Sequence, residues 1–169
     1  MNNKRLFFAL WPDDRQRDRL RDIISPMSKS IEGTLAYRGN WHVTLAFVGE
    51  FPEEKIPELQ LAASKIVVEP FRLRFDRVEF WPRQKLACLI GASVPPELER
   101  LVGSVNDVLG AFGIEPEEFT YRPHVTVATR ARQFETQRLA QPAVSEWSGF
   151  ELIESISQPG SVTYRPVKQ

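Results

Sequence analysis

One five-residue pattern occurs twice in this chain, and each copy begins with one of its two histidines. The first motif is His42–Ala46 (HVTLA), and the second motif is His124–Ala128 (HVTVA). Chance agreement at three further positions after both histidines has odds of roughly one in a few thousand at ordinary composition. The motifs begin at positions 42 and 124 of 169, so each belongs to one half of the chain. The repeat therefore predicts two similar half-domains that face each other across a cleft.

Each motif is expected to form a β-strand with two different faces. Side chains of a strand alternate between faces, so the histidine, threonine and alanine of each motif share one of them. The opposite face carries the residues expected in a core: Val43, Leu45 and Phe47 after His42, and Val125 and Val127 after His124. The histidine face could be an ordinary solvent-exposed surface. The duplication favours instead two matching faces that form one site.

The composition limits the class of protein. The 22 basic and 22 acidic side chains cancel, so binding of nucleic acid would require a local basic patch. The single cysteine, Cys88, cannot form a disulfide within the chain, which suits the cytoplasm. The apolar run near the N-terminus ends at Pro12 and is too short for a signal peptide or a membrane span. We therefore expect a monomeric cytoplasmic protein that makes no membrane contact.

Hydrophobic spacing and proline or glycine breaks predict the order of the remaining elements. Strands are expected at 6–11, 34–38, 42–49, 71–75, 85–91, 124–128, 150–156 and 161–167. Helices are expected at 14–25, where Pro26 would end the first, at 52–66, at 95–109 and, as a short helix, at 133–140. The chain has no βαβ array with a glycine-rich phosphate loop. We predict a single two-lobed α+β domain over residues 1–169, with antiparallel sheets beside a central cleft and helices outside.

Two histidines in one cleft can divide acid–base work near neutral pH. One can take a proton from water while the other gives a proton to a leaving oxygen, which suits in-line displacement at phosphorus. The hydroxyls of Thr44 and Thr126 can donate to the phosphoryl oxygens as negative charge develops there. Two histidines without a cysteine cluster or a nearby carboxylate at ligand spacing argue against a metal site. We therefore expect neither a metal nor another cofactor.

Basic and aromatic residues near the motifs fit an anionic nucleotide ligand. Alternation from His124 places Arg122 and Arg130 on its face, unless Pro123 disturbs the strand. Surface arginines are more often ordinary solvated charges. The side chains that could stack on a base are Trp41, Tyr121, Trp81 and Phe119. Each of these aromatic residues could equally belong to the core.

The sequence around both motifs resembles a known family, the two-histidine phosphoesterase superfamily. It is similar to one branch of that superfamily, the bacterial and archaeal RNA 2′,3′-cyclic phosphodiesterases, once called 2′-5′ RNA ligases. The similarity covers nearly the whole chain and rests on residues 5–10 (RLFFAL), 40–50 (NWHVTLAFVGE), 81–83 (WPR), 122–124 (RPH) and the ending Tyr164-x-x-Val167. The resemblance implies a bilobal antiparallel α+β fold with a central cleft.

The resemblance also implies roles for single residues. His42 and His124 would be the catalytic pair, with His124 as the base and His42 as the acid. Thr44 and Thr126 would bind the phosphate. This chain departs from the family at one position, since members often carry an arginine three residues after the second motif threonine.

That position is Thr129 here, and Arg130 follows it. Arg130 or Arg122 could take the place of the family arginine. Trp41 and Tyr121 are the residues that we assign to substrate binding.

The predicted activity is hydrolysis of a 2′,3′-cyclic phosphate at an RNA 3′ end, giving a 2′-phosphomonoester. Alternative substrates are a 2′-5′ linkage, a cyclic nucleotide or an ADP-ribose cyclic phosphate. Joining of RNA ends through a 2′-5′ bond would be the same reaction in reverse. A module that binds nucleotide without turnover is the alternative from another class, and the two intact histidine–threonine pairs argue against it.

Overall fold

The structure, a computed structural model, describes residues 2–118 and 120–168. These residues form nine strands and three α-helices, here in chain order: β1 Asn3–Leu10, α1 Asp14–Ser28, β2 Thr34–Leu35, β3 Val43–Pro52, α2 Ile56–Ser64, β4 Phe71–Trp81, β5 Leu86–Ile90, α3 Pro96–Ala111, β6 His124–Thr129, β7 Gln137–Trp147, β8 Glu151–Gln158 and β9 Ser161–Pro166. Short 3₁₀ helices at Arg38–Asn40 and Glu53–Lys55 flank β3. Of the helices in the described ranges, none is long and apolar enough to cross a membrane.

The strands form two sheets, and each sheet contains one motif. The strand order is β3-β1-β8-β9 in the first sheet and β2-β6-β5-β4-β7 in the second. Every neighbouring pair of strands is antiparallel. The first motif leads into β3 and the second motif opens β6, so each half of the repeat lies in its own sheet. The predicted antiparallel α+β fold is confirmed.

Both sheets turn one face toward a shared hydrophobic core. Phe8 of β1, Phe75 of β4 and Leu89 of β5 are almost fully buried in the same cluster of side chains. Burying side chains of this size contributes roughly 1.5–3 kcal/mol each. Helix α3 covers the cluster with apolar residues at helical spacing, namely Leu98, Leu101, Val105 and Leu109. That residues 1–169 form one domain stays a prediction.

The segment 133–140 differs from its prediction, because its second half is a strand and not a helix. Strand β7 begins at Gln137 and pairs along β4 from Phe71↔Trp147 to Val78↔Gln137. Glutamine, leucine and alanine are good helix formers, but intrinsic propensity is a weak determinant, and pairing with a long neighbouring strand outweighs it here. Strand β4 itself is longer than predicted and continues to Trp81.

The first helix also extends further than its sequence suggests. A capping box formed by Asp13 and Gln16 begins it, and it continues through Pro26 to Ser28. A proline removes one backbone donor and crowds one carbonyl four residues earlier. Close to the C-terminal end of a helix that effect is limited, so Pro26 does not end α1.

Candidate active site

Each motif strand contains an irregularity one residue after its threonine. In the first motif the register with β1 skips Leu45, and in the second motif the register with β5 skips Val127. Such a β-bulge adds one residue to one strand and reverses the alternation of side chains beyond it. The two halves of the repeat therefore share a backbone distortion as well as a sequence.

The bulges correct the prediction for the residues beyond each threonine. Alternation placed Ala46 beside the histidine and Phe47 in the core, and the structure has the reverse. Ala46 packs against the core, while Phe47 is 54% exposed with its ring centroid 6.3 Å from that of Phe7. Ala128 is likewise fully buried in the core. The histidine and threonine of each motif, which precede the bulge, keep the predicted face.

His42 is held at both ring nitrogens. Its Nδ1 lies 2.7 Å from the carbonyl oxygen of Asn40, and its Nε2 lies 2.9 Å from the hydroxyl of Thr44. A carbonyl can only accept, so in the neutral ring Nδ1 carries the proton. Nε2 then has a free lone pair, to which the Thr44 hydroxyl donates. The neutral ring thus presents its basic nitrogen to the threonine side.

His124 is held in the same way at one nitrogen only. Its Nδ1 donates to the carbonyl oxygen of Arg122 over 2.8 Å, again two residues earlier in the chain. Its Nε2 has no hydrogen-bond partner in the described part of the chain, so that atom is available to water or substrate. The two rings therefore have the same tautomer but differ in what their basic nitrogen contacts.

Burial keeps both histidines neutral at pH 7. Burial and, to a smaller extent, the charge of a protonated His124 lower the pKa of His42 to about 4, against the opposing effect of the hydrogen bond to Asn40. The pKa of His124 is also lowered, mainly by burial and then by the charge of Arg122. The histidines are therefore near enough to influence each other electrostatically. An anion bound between them would favour protonation of either ring.

Aromatic rings enclose His42 on the side away from the core. Its ring centroid lies 4.8 Å from Phe7, 5.3 Å from Tyr164 and 6.2 Å from Trp11, which stacks on it. The guanidinium carbon of Arg17 lies 5.1 Å above the Trp11 ring. This packing fixes the imidazole plane and keeps water from its sides.

The second histidine has a matching arrangement. The Trp81 ring lies 4.4 Å from that of His124, and the guanidinium carbon of Arg122 lies 5.1 Å from the Trp81 centroid. Each histidine therefore contacts a tryptophan that carries an arginine on its ring, an arrangement favoured by cation–π attraction.

Glu79 fixes this second arrangement and has no counterpart in the sequence predictions. One carboxylate oxygen accepts from Arg122 at 3.0 Å and from the Trp81 indole at 3.1 Å, and the other lies 3.4 Å from Arg77. These donors lower the pKa of the Glu79 carboxyl against the opposing effect of burial. The sequence did contain a signal for this contact: Glu79 and Trp81 are two residues apart on one strand, so their side chains lie on the same face.

A family model described as the 2′-5′ RNA ligase superfamily matches residues 12–152. This chain belongs to that superfamily. Two relatives of the superfamily are RNA 2′,3′-cyclic phosphodiesterases. The one from Archaeoglobus fulgidus is 28% identical, over 97% of this chain and 98% of its own length. The one from Escherichia coli K12 is 27% identical, over 98% of this chain and 95% of its own length. The resemblance found in the sequence is confirmed.

Solved structures of similar proteins share the fold. E. coli LigT in apo form superposes with a TM-score of 0.83 at 27% identity, covering 99% of this chain and 96% of that chain. E. coli LigT complexed with 3′-AMP also superposes with a TM-score of 0.83, at 26% identity, covering 99% of this chain and 97% of that chain. A further crystal structure of a phosphoesterase gives 0.87 at 24% identity over 99% and 97%, which shows the fold alone.

The two aromatic residues predicted to bind substrate lie in or against the hydrophobic core. Trp41 is 6% exposed and packs in the core, so it offers no face to a base. Tyr121 packs against the core and donates its hydroxyl to the carbonyl oxygen of Thr44 over 2.8 Å. Tyr121 thus ties the segment before the second motif to the first motif. Phe119 lies outside the described residues.

The structure separates Arg122 and Arg130, the two arginines predicted as candidates for phosphate binding. Arg122 lies beside His124 but forms an ion pair with Glu79. Arg130 follows the end of β6 in a left-handed conformation, with φ 50°, and lines a pocket to which neither histidine contributes. Because the bulge at Val127 reverses the alternation, Thr129 lies on the same face of the strand as His124 and Thr126, and Arg130 does not. The structure therefore does not bring Arg130 to the histidines.

Thr44 and Thr126 both remain half-buried on the histidine side of their strands. Within residues 2–118 and 120–168, no three histidine, cysteine or carboxylate side chains cluster closely enough to hold a metal ion. Metal-independent chemistry stays a prediction.

Proposed function

We propose that this chain hydrolyses 2′,3′-cyclic phosphates at RNA 3′ ends and leaves a 2′-phosphomonoester. The observation that carries the proposal is the matched pair of neutral imidazoles, each with a backbone carbonyl at Nδ1 and a threonine two residues on. The names of the two relatives supply the substrate class, because both are RNA 2′,3′-cyclic phosphodiesterases.

In the proposed reaction His124 activates water. Its Nε2, which has no partner in the described residues, accepts a proton as the water oxygen attacks phosphorus. The new P–O bond forms opposite the bond to the ribose 3′ oxygen, which breaks. His42, protonated at Nε2 in the complex, gives that proton to the departing 3′ oxygen. The proton count balances, and each transfer typically contributes a factor of about 10²–10⁴ in rate.

Substrate charge supplies the protonated histidine that this reaction needs. The pKa of His42 is about 4 in the free protein, so the ring is neutral at pH 7. A phosphodiester anion beside the ring raises that pKa, because it favours the charged imidazolium. The Thr44 hydroxyl, which donates to Nε2 in the free protein, would then turn to a phosphoryl oxygen. Thr126 would donate to phosphoryl oxygen from the other sheet.

The same groups would catalyse 2′-5′ joining if an RNA 5′-hydroxyl replaced the attacking water. That reaction forms a 2′-5′ phosphodiester and again releases the 3′ oxygen. The name of the superfamily gives this second candidate its support. Hydrolysis has the concentration of water in its favour, so we propose it as the main reaction.

The proposal is tested with EDTA-treated protein and an oligoribonucleotide that ends in a 2′,3′-cyclic phosphate. We expect turnover without added metal and a phosphatase-sensitive product that ³¹P NMR identifies as the 2′-phosphate. The His42→Ala/His124→Ala double variant is the matched control for contaminating nuclease. A 3′-phosphate product, or activity that needs a divalent ion, would contradict the proposed mechanism. A protein that binds the oligonucleotide without turnover would be a binding module.

A further inference from the structure

A pocket of about 480 Å³ lies beyond the C-terminal end of β6, the strand that begins with His124. Its lining residues, called the basic pocket below, are Phe80, Pro82, Gln84, Lys85, Arg130, Ala131, Arg132 and Gln133. Three of these side chains are cations, two are amides and none is acidic. In a chain with no net charge, such a set concentrates positive potential at one place on the surface.

Two of the cations occupy unusual backbone conformations. Lys85 has φ 56° and Arg130 has φ 50°, and they are the non-glycine residues with positive φ in the described part of the chain. The left-handed region costs such residues roughly 1–2 kcal/mol each. A hydrogen bond of 2.9 Å from the Ala131 amide to the Lys85 carbonyl links the two turns. Backbone strain of this kind often marks a functional site.

The cations of the basic pocket are not equally available. Arg132 lies 3.5 Å from a carboxylate oxygen of Glu32, so part of its charge is compensated. Within the described ranges, no carboxylate lies within ion-pair distance of Lys85 or Arg130. These two side chains are therefore the ones that can compensate the charge of a bound anion.

The basic pocket is connected to the candidate active site through one turn. Trp81 contacts His124 at the end of β4, and the next residue, Pro82, lines the pocket. From His124 along β6 to Arg130, which follows the strand, the chain advances by six residues, or about 20 Å at roughly 3.3 Å per residue. An RNA whose 3′ end lies at the histidines would need several further nucleotides to reach the pocket, and single-strand grooves commonly hold about four or more.

We propose that the basic pocket binds a backbone phosphate of RNA several nucleotides upstream of the cyclic 3′ end. Lys85 and Arg130 would neutralise the phosphate, and the amides of Gln84 and Gln133 would donate hydrogen bonds to it. This inference rests on the proposed function, since it takes the histidines as the position of the RNA end. It gives Arg130 a role away from the reacting phosphate and makes the enzyme selective for oligonucleotides.

The test compares the variant Lys85→Asn/Arg130→Asn with Arg83→Asn. Asparagine tolerates positive φ better than most residues, so the double variant loses charge without added strain. Arg83 is exposed in the same turn and does not line the pocket. The substrates are an eight-nucleotide RNA ending in a 2′,3′-cyclic phosphate and a mononucleotide 2′,3′-cyclic phosphate. The readout is the ratio of the two kcat/KM values.

We expect this ratio to fall about tenfold in the double variant and to stay unchanged in Arg83→Asn. The slope of log kcat/KM against log salt for the long substrate should also become less steep by about 0.7, the value for one lost phosphate contact with a single strand. An unchanged ratio, or an equal fall in Arg83→Asn, would overturn the inference.

Failure of the proposed function would look different, because the wild type would then not turn over the mononucleotide. In that case the inference is tested by binding alone: fluorescence anisotropy measures the affinity of each variant for an eight-nucleotide RNA ending in a 2′-phosphate. Equal affinity of wild type and double variant would exclude the basic pocket as a binding site, and weaker binding by the double variant alone would support it.

Discussion

The hydroxyl of Tyr121 donates a hydrogen bond to the backbone carbonyl of Thr44 over 2.8 Å and so connects the approach to one motif with the strand of the other. The bond links the segment before β6 to Thr44 of β3, a residue of the proposed phosphate site. Burial raises the pKa of the Tyr121 hydroxyl well above its usual range, so the group stays a neutral donor at any physiological pH.

Removal of this one hydroxyl should cost stability. Tyr121→Phe keeps the buried ring and leaves the Thr44 carbonyl without its donor, which is expected to lower the unfolding free energy by about 1–2 kcal/mol. Urea unfolding measures the change. Tyr37→Phe is the matched control. Tyr37 is 70% exposed, so this substitution should leave the unfolding free energy unchanged. Equal stability of both variants would mean that the bond does not hold the two motifs together.

The histidine pair should behave as one catalytic unit. His42→Ala and His124→Ala are each expected to lower kcat by about 10² or more, and the double variant should be little worse than either single one. Single-turnover kinetics with a cyclic-phosphate oligonucleotide measure this. A nearly normal rate in either single variant would remove that histidine from the mechanism.

The threonines should matter less than the histidines. Thr44→Val and Thr126→Val each remove one donor to the phosphoryl oxygens and preserve side-chain shape, so a loss of about 10-fold to 10³-fold in kcat is expected. The same kinetics with circular dichroism as a folding control measure it. If KM rises and kcat does not change, the threonines bind the ground state and do not stabilise the transition state.

The antiparallel fold, and the placement of the histidine and threonine of each motif on one face, could be predicted from the sequence for a physical reason. A repeated strand pattern with one histidine per copy has few explanations other than two facing half-domains, and alternation places each histidine beside its threonine. It could not predict the bulges at Leu45 and Val127, because a bulge depends on the register with the neighbouring strand. Phe47 was therefore assigned to the wrong face.

The surroundings of the histidines were harder to predict for a related reason. Trp41 is adjacent to His42 in sequence, yet it packs in the core. The rings that enclose His42 are distant in sequence: Trp11 follows β1, and Tyr164 lies in β9. Glu79 contacts Arg122 across 43 residues of sequence. Such contacts follow from sheet order and not from local pattern. Strand β7 was missed because its pairing with β4 is likewise long-range.

Glu79 should act on catalysis through His124. Glu79→Gln removes the charge that compensates Arg122, so the pKa of His124 is expected to fall further and one limb of the kcat/KM profile to move to lower pH. Trp81 can still donate to the glutamine oxygen, and kcat at its optimum should change only a few-fold. Glu54→Gln, on the exposed surface, controls for the loss of one charge. An unshifted limb would limit Glu79 to a structural role.

The pH dependence follows from the direction of the histidine shifts. The productive free enzyme has one neutral and one protonated histidine, and both pKa values lie below 6.5. As pH falls from 7, this singly protonated form increases until the second ring is protonated, which gives kcat/KM a bell with its maximum below pH 6.5. In the complex the phosphate anion raises the pKa of both rings, so the falling high-pH limb of kcat should lie at higher pH than that of kcat/KM. A maximum of kcat/KM above pH 7.5 would contradict the burial of the histidines as their controlling environment.

The division of labour between the histidines can be measured most directly with a substrate whose leaving group needs no proton. A nitrophenyl phosphodiester of a nucleoside that still binds the cleft has a leaving oxygen of this kind. If His42 is the acid and His124 the base, the activity of His42→Ala should recover toward the wild-type rate with this substrate, while His124→Ala stays about 10² or more below it. Equal recovery of the two variants, or recovery of His124→Ala alone, would contradict the account.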